Sequence, residues 1–373
     1  MKIIVQICRI IVGILFIISG FVKIIDPIGM GYKLEEYFSP TVLNLPFLME
    51  FNISIAYILT ILEIILGLML LLGLVRKFTV YALTITIVFF TFLTFYSAYF
   101  NKVTDCGCFG DALKLEPWTS FYKDVVLLIL ILVLVFGQKY IKPILDKKLS
   151  WALVLIVFVA SSFIANQGIN HSPIIDFRAY AVGKDLNLGM KSAEELGKKP
   201  SIYRTFYTLE NSKTGEIVTI DDNEYVNNDK WYKEGTPWKI NTDKTENKLV
   251  FKGYEPPIKD FYLDCNGEDK TVEYLAAPKM IFVVIPFADN LNAEKTLAIE
   301  KLIHEAEDNQ IEIAVLSNHE ITKFQNVCVV DQIVLKTMTR SNPGILTLKK
   351  GIVSSKYHFN DLPKINQLIQ DLN

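Results

Sequence analysis

Two cysteines separated by one glycine, in Asp105-Cys106-Gly107-Cys108-Phe109-Gly110-Asp111, are the residues of this chain best spaced for chemistry. Residues i and i+2 in a turn can approach the ~5.5–6 Å Cα separation a disulfide favours, and Gly107 lets the backbone bend that tightly. So small a ring is strained, and strained disulfides are the exchange-competent ones. The motif reads as a redox pair. A static disulfide, or pairing with another cysteine, is one alternative; metal binding is the other. Zinc usually takes four Cys or His ligands and the loop offers two, while none of the four histidines lies near it. The motif has no adjacent Lys, Arg or His to favour a thiolate, Lys102 being the closest base, and Asp105 and Asp111 disfavour one. That describes a slow, client-specific exchanger.

The remaining chemistry-bearing residues are sparse. Arg9 and Lys23 lie in the first apolar segment and Glu63 in the second. Charges inside a bilayer are costly and are usually paired or functional. If residues 25 and 51 lie level at the outer surface, antiparallel geometry puts Glu63 level with residue 13, and Arg9 is roughly 6 Å deeper. An Arg9–Glu63 ion pair is therefore expected, with a proton- or quinone-linked role as the alternative. Lys23 is expected to snorkel to the surface or to meet Asp26. Cys8, among apolar residues, reads as inert packing. Cys265 and Cys328 could pair with each other or exchange with the loop. His358, beside Tyr357, is given no role. No cofactor motif is visible, although a quinone between helices is conceivable for a membrane dithiol.

These residues must be held by two kinds of structure. The 373-residue chain is 51% hydrophobic, but Ile, Leu, Val and Phe crowd into residues 1–166 and most of the charge follows. With 38 basic and 40 acidic residues there is no basic arm, and nucleic-acid binding has no electrostatic support. Five stretches reach the ~20 apolar residues of a membrane helix: 3–25, 52–75, 78–100, 121–138 and 150–166. The first is too long for a signal-peptide core and offers no clear cleavage site, so it is read as retained. Lys2, Arg9, Arg76, Lys77, Lys139, Lys142, Lys147 and Lys148 mark cytoplasmic ends, whereas loops 26–50 and 101–120 balance their lysines with acids. The expected arrangement has the N-terminus cytoplasmic and, after five spans, the remainder extracytoplasmic.

Beyond the spans, Ser201–Leu209 and Glu216–Ile220 flank a hairpin-loop composition, and Lys248–Gly253 is another short strand. From about residue 256 strands and helices alternate: strand Met280–Pro286, helix Asn292–Asp308, strand Ile311–Leu316, helix Gln332–Arg340, a hairpin of Ile345–Lys349 and Ile352–Tyr357, and a helix from Asp361.

Arg9, the run Ser19-Gly20-Phe21-Val22-Lys23-Ile24-Ile25-Asp26-Pro27, Glu63 and the Cys-Gly-Cys-Phe-Gly loop, in this order, resemble the DoxX/MauE membrane family. The resemblance implies a four-helix core associated with extracytoplasmic disulfide chemistry. MauE itself is linked to maturation of a disulfide-rich methylamine dehydrogenase subunit, a client that a chain with a large outer domain need not share. The strand–helix order after residue 256 resembles the thioredoxin fold in its TlpA or peroxiredoxin-like form. Pro257–Phe261 with Asn266-Gly267 is similar to the opening hairpin of those proteins, and Asn342-Pro343-Gly344 to their cis-proline turn, which implies a cis Pro343. Where that family carries C-x-x-C, this chain has Phe287-Ala288-Asp289-Asn290-Leu291-Asn292, so the resemblance brings no oxidoreductase activity.

The expected organisation is a DoxX/MauE-like bundle at 1–140, a fifth helix and linker at 141–168, a β-rich extracytoplasmic segment at 169–255 and a thioredoxin-like domain lacking C-x-x-C at 256–373. The expected function is thiol–disulfide exchange through Cys106 and Cys108 at the outer face of a cell (inner) membrane, with an extracytoplasmic protein thiol as partner and a MauE-like maturation role. The competing class is a non-enzymatic anchor whose degenerate thioredoxin-like domain binds a partner in an envelope complex. Solute transport lacks a broken-helix pair or repeat. A reporter fused after Asn373 is expected to be active outside the cytoplasm; activity confined to the cytoplasm would reverse the orientation.

Overall fold

The structure, a computed structural model, describes every residue except Asn101, Thr104, Asp105, Cys106, Cys108 and Lys114, and the backbone alone of Asp243. The expected redox pair Cys106/Cys108 thus lies outside the described residues. The chain forms two compact units, Met1–Lys184 with Tyr262–Asn373, and Asp185–Phe261.

The first unit opens with the apolar helices. Among the described residues, five are long and apolar enough to cross a membrane. They are α1 (Lys2–Ile25) and, after the shorter α2 (Pro27–Phe38), α3 (Asn52–Leu72), α4 (Arg76–Phe100), α5 (Pro117–Phe136) and α6 (Lys147–Asn170). The fifth apolar helix is longer than residues 150–166 because the Asp146 side chain accepts from the Lys148 and Leu149 amides and starts it early. Asp26 ends α1 and caps α2, accepting from the Gly29 amide, with Pro27 at the first helical position. α2 is amphipathic and sets Leu34, Tyr37 and Phe38 in a core with Ala56 and Leu93.

Glycines set the approach of α1 and α3. A Cβ on Gly13 would lie 2.6 Å from Leu71 and 3.2 Å from the Gly67 carbonyl, and one on Gly20 would lie 2.9 Å from the Thr60 carbonyl. In an apolar surrounding, such close backbone contact is a main source of helix association. The first turn of α3 rests on α2, where Gly31 meets Ile53. α3 therefore extends past the end of α1, and Glu63 lies level with residues near 19 and 20 rather than with residue 13.

The same unit ends in an α/β region. The strands β4 (Asp264–Cys265), β5 (Glu268–Asp269), β6 (Met280–Ile285), β7 (Glu312–Ser317), β8 (Val327–Val329), β9 (Gly344–Lys349) and β10 (Ile352–His358) form one sheet in the order β10-β9-β6-β7-β8-β4-β5. β6–β7 and β7–β8 are parallel; β6–β9, β9–β10 and β8–β4 are antiparallel. β6 is buried at every residue, as a strand covered on both faces must be. The short helix α9 (Thr271–Ala276) precedes β6, α10 (Ala293–Asp308) joins β6 to β7, α11 (Gln332–Met338) precedes β9, and α12 (Ile365–Asp371) closes the chain. Lys350 and Gly351 both have positive φ, the conformation of a tight two-residue hairpin. The last helix begins at Ile365, not Asp361. Pro363 disfavours the helical conformation at Leu362, so Phe359–Asp361 remains a 3-10 turn.

The second unit holds α7 (Leu186–Met190), the antiparallel sheet β2-β1-β3 of β1 (Ile202–Asn211), β2 (Ile217–Asp221) and β3 (Trp238–Phe251), and α8 (Asp222–Asn227). β3 is far longer than the expected Lys248–Gly253 strand. Its polar residues Lys239 and Asn241 stay in register with β1, so pairing rather than apolar alternation defines it. Leu209, Ile220 and Trp231 form the small core of this unit.

Replacing Gly67 with Leu is expected to lower the thermal midpoint of the detergent-solubilised protein, at a cost of about 1–3 kcal/mol. The added side chain would meet the Gly13 carbonyl at 2.8 Å and the Ile17 backbone at 3.1 Å. An unchanged midpoint would mean that α1 and α3 do not pack this way.

Candidate functional site

The expected Arg9–Glu63 ion pair does not form. Glu63 Oε1 lies 2.5 Å from Lys23 Nζ, and both side chains are 2% exposed. Arg9 instead donates to the carbonyls of Leu70 and Leu71 at 2.8 and 2.7 Å and to Lys142 O at 3.0 Å. The cause is the α1–α3 register. Arg9 sits level with the end of α3, where carbonyls lack intrahelical partners, and a guanidinium is well suited to collect them. Lys23 consequently neither snorkels nor meets Asp26; it is buried, one turn from the level of Glu63, with its ammonium 4.6 Å from the Phe90 ring centroid.

Beside this pair lies a second buried carboxylate that sequence reasoning missed. Asp124, on the first turns of α5 and 1% exposed, accepts from Thr94 at 3.1 Å and pairs with Lys123 at 2.7 Å. An acid next to a lysine just inside an apolar run was the available signal. Lys23, Glu63, Lys123 and Asp124 all line one pocket within the bundle, roofed by Phe109 of the Cys-Gly-Cys-Phe-Gly loop. The Lys123 ammonium lies 5.3 Å from the Phe109 ring centroid.

The other described residues of that loop face different partners. A Cβ on Gly107, which has φ 68°, would lie 3.1 Å from Lys33 Cγ on α2. Asp111 accepts from Arg340 Nη2 at 2.8 Å, and Arg340 Nε donates to Asp26 at 2.8 Å. Arg340 directly follows α11 and Thr339, so a residue of the α/β region grips both the end of α1 and the loop after α4. Burial alone would raise the Asp26 carboxyl, but Arg340, then Arg178, and the Gly29 amide hold it below its usual range. Burial likewise works against Arg340, and its two carboxylates outweigh that and raise it. Lys336 extends the contact, 4.7 Å from the Tyr32 ring and 5.0 Å from the Phe287 ring. Burial pushes the Tyr32 hydroxyl up to about 12. A neighbouring group, Asp176, accepts from both Arg178 and Lys356; burial first, and then Arg178, push the Lys356 amine down to about 7, against the pull of Asp176.

The Asn342–Pro343 peptide is cis. The Asn342 side chain accepts from the Phe287 amide at 3.2 Å and donates to the Phe287 carbonyl at 2.9 Å, and Lys295 donates to the Asn342 carbonyl. The segment after β6 is therefore tied to the cis turn by the Asn342 amide. Cys265 and Cys328 form a disulfide, joining β4 to β8. Cys8 is a buried free thiol that packs with Val5 and Val12. His358 accepts from the Asn360 amide, and its ring lies 6.4 Å from that of His171, which contacts Asp361 at 2.7 Å.

The five apolar helices define a multi-pass membrane protein. Residues 1–137 match the family model described as methylamine utilisation protein MauE. No curated protein and no solved structure matches the chain.

Lys23→Met alone is expected to destabilise the bundle more than Lys23→Met with Glu63→Leu, because the single change strands a buried carboxylate. A coupling of about 1–3 kcal/mol should appear in that double-mutant cycle, read from thermal unfolding in detergent. Strict additivity would show that the two residues do not interact.

Proposed function

We propose that the chain is a thiol–disulfide exchanger of the extracytoplasmic membrane face, with Cys106 and Cys108 as the redox pair and a MauE-like role in maturing envelope proteins. The observation that carries the reading is the placement of the loop's described residues. Phe109 roofs the charged pocket, and Asp111, three residues beyond Cys108 in the chain, is gripped by Arg340. The loop thus belongs to both the bundle and the α/β region. The Cys265–Cys328 bond supports an oxidising compartment for that region, and hence an N-terminus on the cytoplasmic side of the (inner) membrane.

In the forward step a client thiolate attacks one sulfur of the Cys106–Cys108 disulfide, whose S–S bond breaks to leave the other sulfur as a thiolate. The second client thiolate then attacks the mixed disulfide. Two electrons pass from client to loop, leaving a client disulfide and a reduced pair. The α/β region reads as a thioredoxin-like domain, on its mixed sheet and cis Asn342–Pro343 turn, with the Asn342–Phe287 bonds in place of a dithiol. Its part is to position the client.

A second reading is favoured by that missing dithiol: a non-enzymatic anchor whose α/β domain holds a partner in an envelope complex. Alkylation trapping in native membranes separates the two. The exchanger is expected to show a Cys106–Cys108 disulfide that mild reductants open, and Cys→Ser at either position should abolish client oxidation without unfolding the bundle. Thiols that stay freely reactive under oxidising conditions, or a bond whose loss affects only stability, would leave the anchor reading in place.

A further inference from the structure

The stretch of chain that follows α6, residues 173–178, is turned inside out. Its apolar side chains face outward: Ile174 is 62% exposed, Ile175 43% and Phe177 45%. Its charged side chains face inward. Arg178 is buried and donates to Asp176 at 2.6 Å, and Asp176 also accepts from Lys356 of β10 at 2.7 Å. A connector crossing water is expected to do the reverse, because buried charge is costly and exposed apolar surface gains nothing there. Single exposed apolar residues are ordinary on any protein. Three of the four residues 174–177, with the charges withdrawn from the same surface, mark a contact.

Continuity with the membrane spans says what covers it. α6 has 24 residues. At about 1.5 Å per residue it exceeds the ~30 Å hydrocarbon core by only a few ångströms, shared between its two ends. Asn170 therefore emerges within the headgroup layer. The last turn of α6 is level with the end of α1, since a Cβ on Gly168 would lie 2.7 Å from the Ile25 carbonyl. The chain is also held at this level before it reaches Ile174. The Asn170 carbonyl accepts from Asn360 at 2.8 Å, and His171 meets Asp361 at 2.7 Å. Because the spans alternate in direction, the same side of the bundle holds the start of α3, the end of α4 and the start of α5. Phe51, Tyr99, Phe100 and Trp118 are exposed at those three ends. Such a ring of aromatic side chains belongs to the membrane–water interface.

We propose that residues 173–178 lie in the interfacial layer of the bilayer, with Ile174, Ile175 and Phe177 against the acyl chains. The segment then works as a strap with two faces. Asp176 and Arg178 bind the α/β region through Lys356 and the Thr337 carbonyl, and the apolar face binds lipid. The α/β region is thereby held to the membrane surface as well as to Asp26 and Asp111. The contact is apolar, as in a helix or segment lying in the interface, and it needs no anionic headgroup, because the segment's one cation is turned inward.

The test uses the full chain in phosphatidylcholine nanodiscs, with Cys8→Ala, Cys106→Ser and Cys108→Ser to remove the other thiols and the Cys265–Cys328 bond left closed. A nitroxide is attached at Ile175→Cys or, as a reference, at Val272→Cys on α9, where the native residue is 78% exposed. Collisions with oxygen, which concentrates in hydrocarbon, are compared with collisions with a water-soluble nickel chelate. Oxygen is expected to dominate at 175 and nickel at 272. Nickel dominating at 175 would overturn the proposal. So would protection from both probes, which would mean that protein and not lipid covers the segment. Replacing phosphatidylcholine with phosphatidylglycerol should leave the result at 175 unchanged; a label that leaves water only with the anionic lipid would overturn the apolar contact. If the Ile175→Cys chain does not fold, the wild type decides, irradiated in a bilayer whose acyl chains carry a diazirine near the carboxyl end. Adducts are expected within residues 173–178. Adducts at residues 99–118 with none at 173–178 would overturn the strap.

Discussion

Arg340 joins parts of the chain that have no other strong reason to meet. Its guanidinium is buried and reaches Asp26, between α1 and α2, and Asp111, between α4 and α5. Both carboxylates lie at helix ends on the same side of the bundle, so one cation fixes the exit of the first helix, the loop after the fourth and the α/β region together. A buried arginine without its carboxylates would carry a large desolvation penalty, which makes the contact all-or-none. The aromatic and cationic contacts of Tyr32, Phe287 and Lys336 fill the space beside it.

Within the bundle the same constraint acts on each charge separately, because hydrocarbon offers no alternative partner. Arg9 meets it with backbone carbonyls at a helix end, Lys23 with Glu63, and Asp124 with Thr94 and Lys123. The first is an economical structural answer. The last two lie side by side around a space that side chains do not fill, and it is this adjacency that distinguishes a site from a set of satisfied residues.

The apolar helices were legible because length and hydropathy suffice to define them, and the strands Met280–Ile285 and Glu312–Ser317 because they are continuous apolar runs between turn signals. The Arg9–Glu63 expectation failed for a geometric reason. It placed the ends of two helices level, and α2, which lifts the start of α3 past the end of α1, has no marker in the pattern of either helix. Arg340 and Asp26 are 314 positions apart, and nothing local in either segment points to the other. Lys123 and Asp124 were visible as charges at the edge of a span, but their shared pocket with Lys23 and Glu63 exists only once four segments are brought together. In β3 the strand was under-read because its polar residues alternate on no buried face.

The Arg340 contact also has a consequence for how firmly the α/β region is seated. It is an intramolecular contact, the region being joined to α6 through residues 171–261, so docking is governed by a local concentration rather than by the protein's abundance. Such a contact persists at any dilution of the protein, and its loss would free the α/β region without parting it from the bundle.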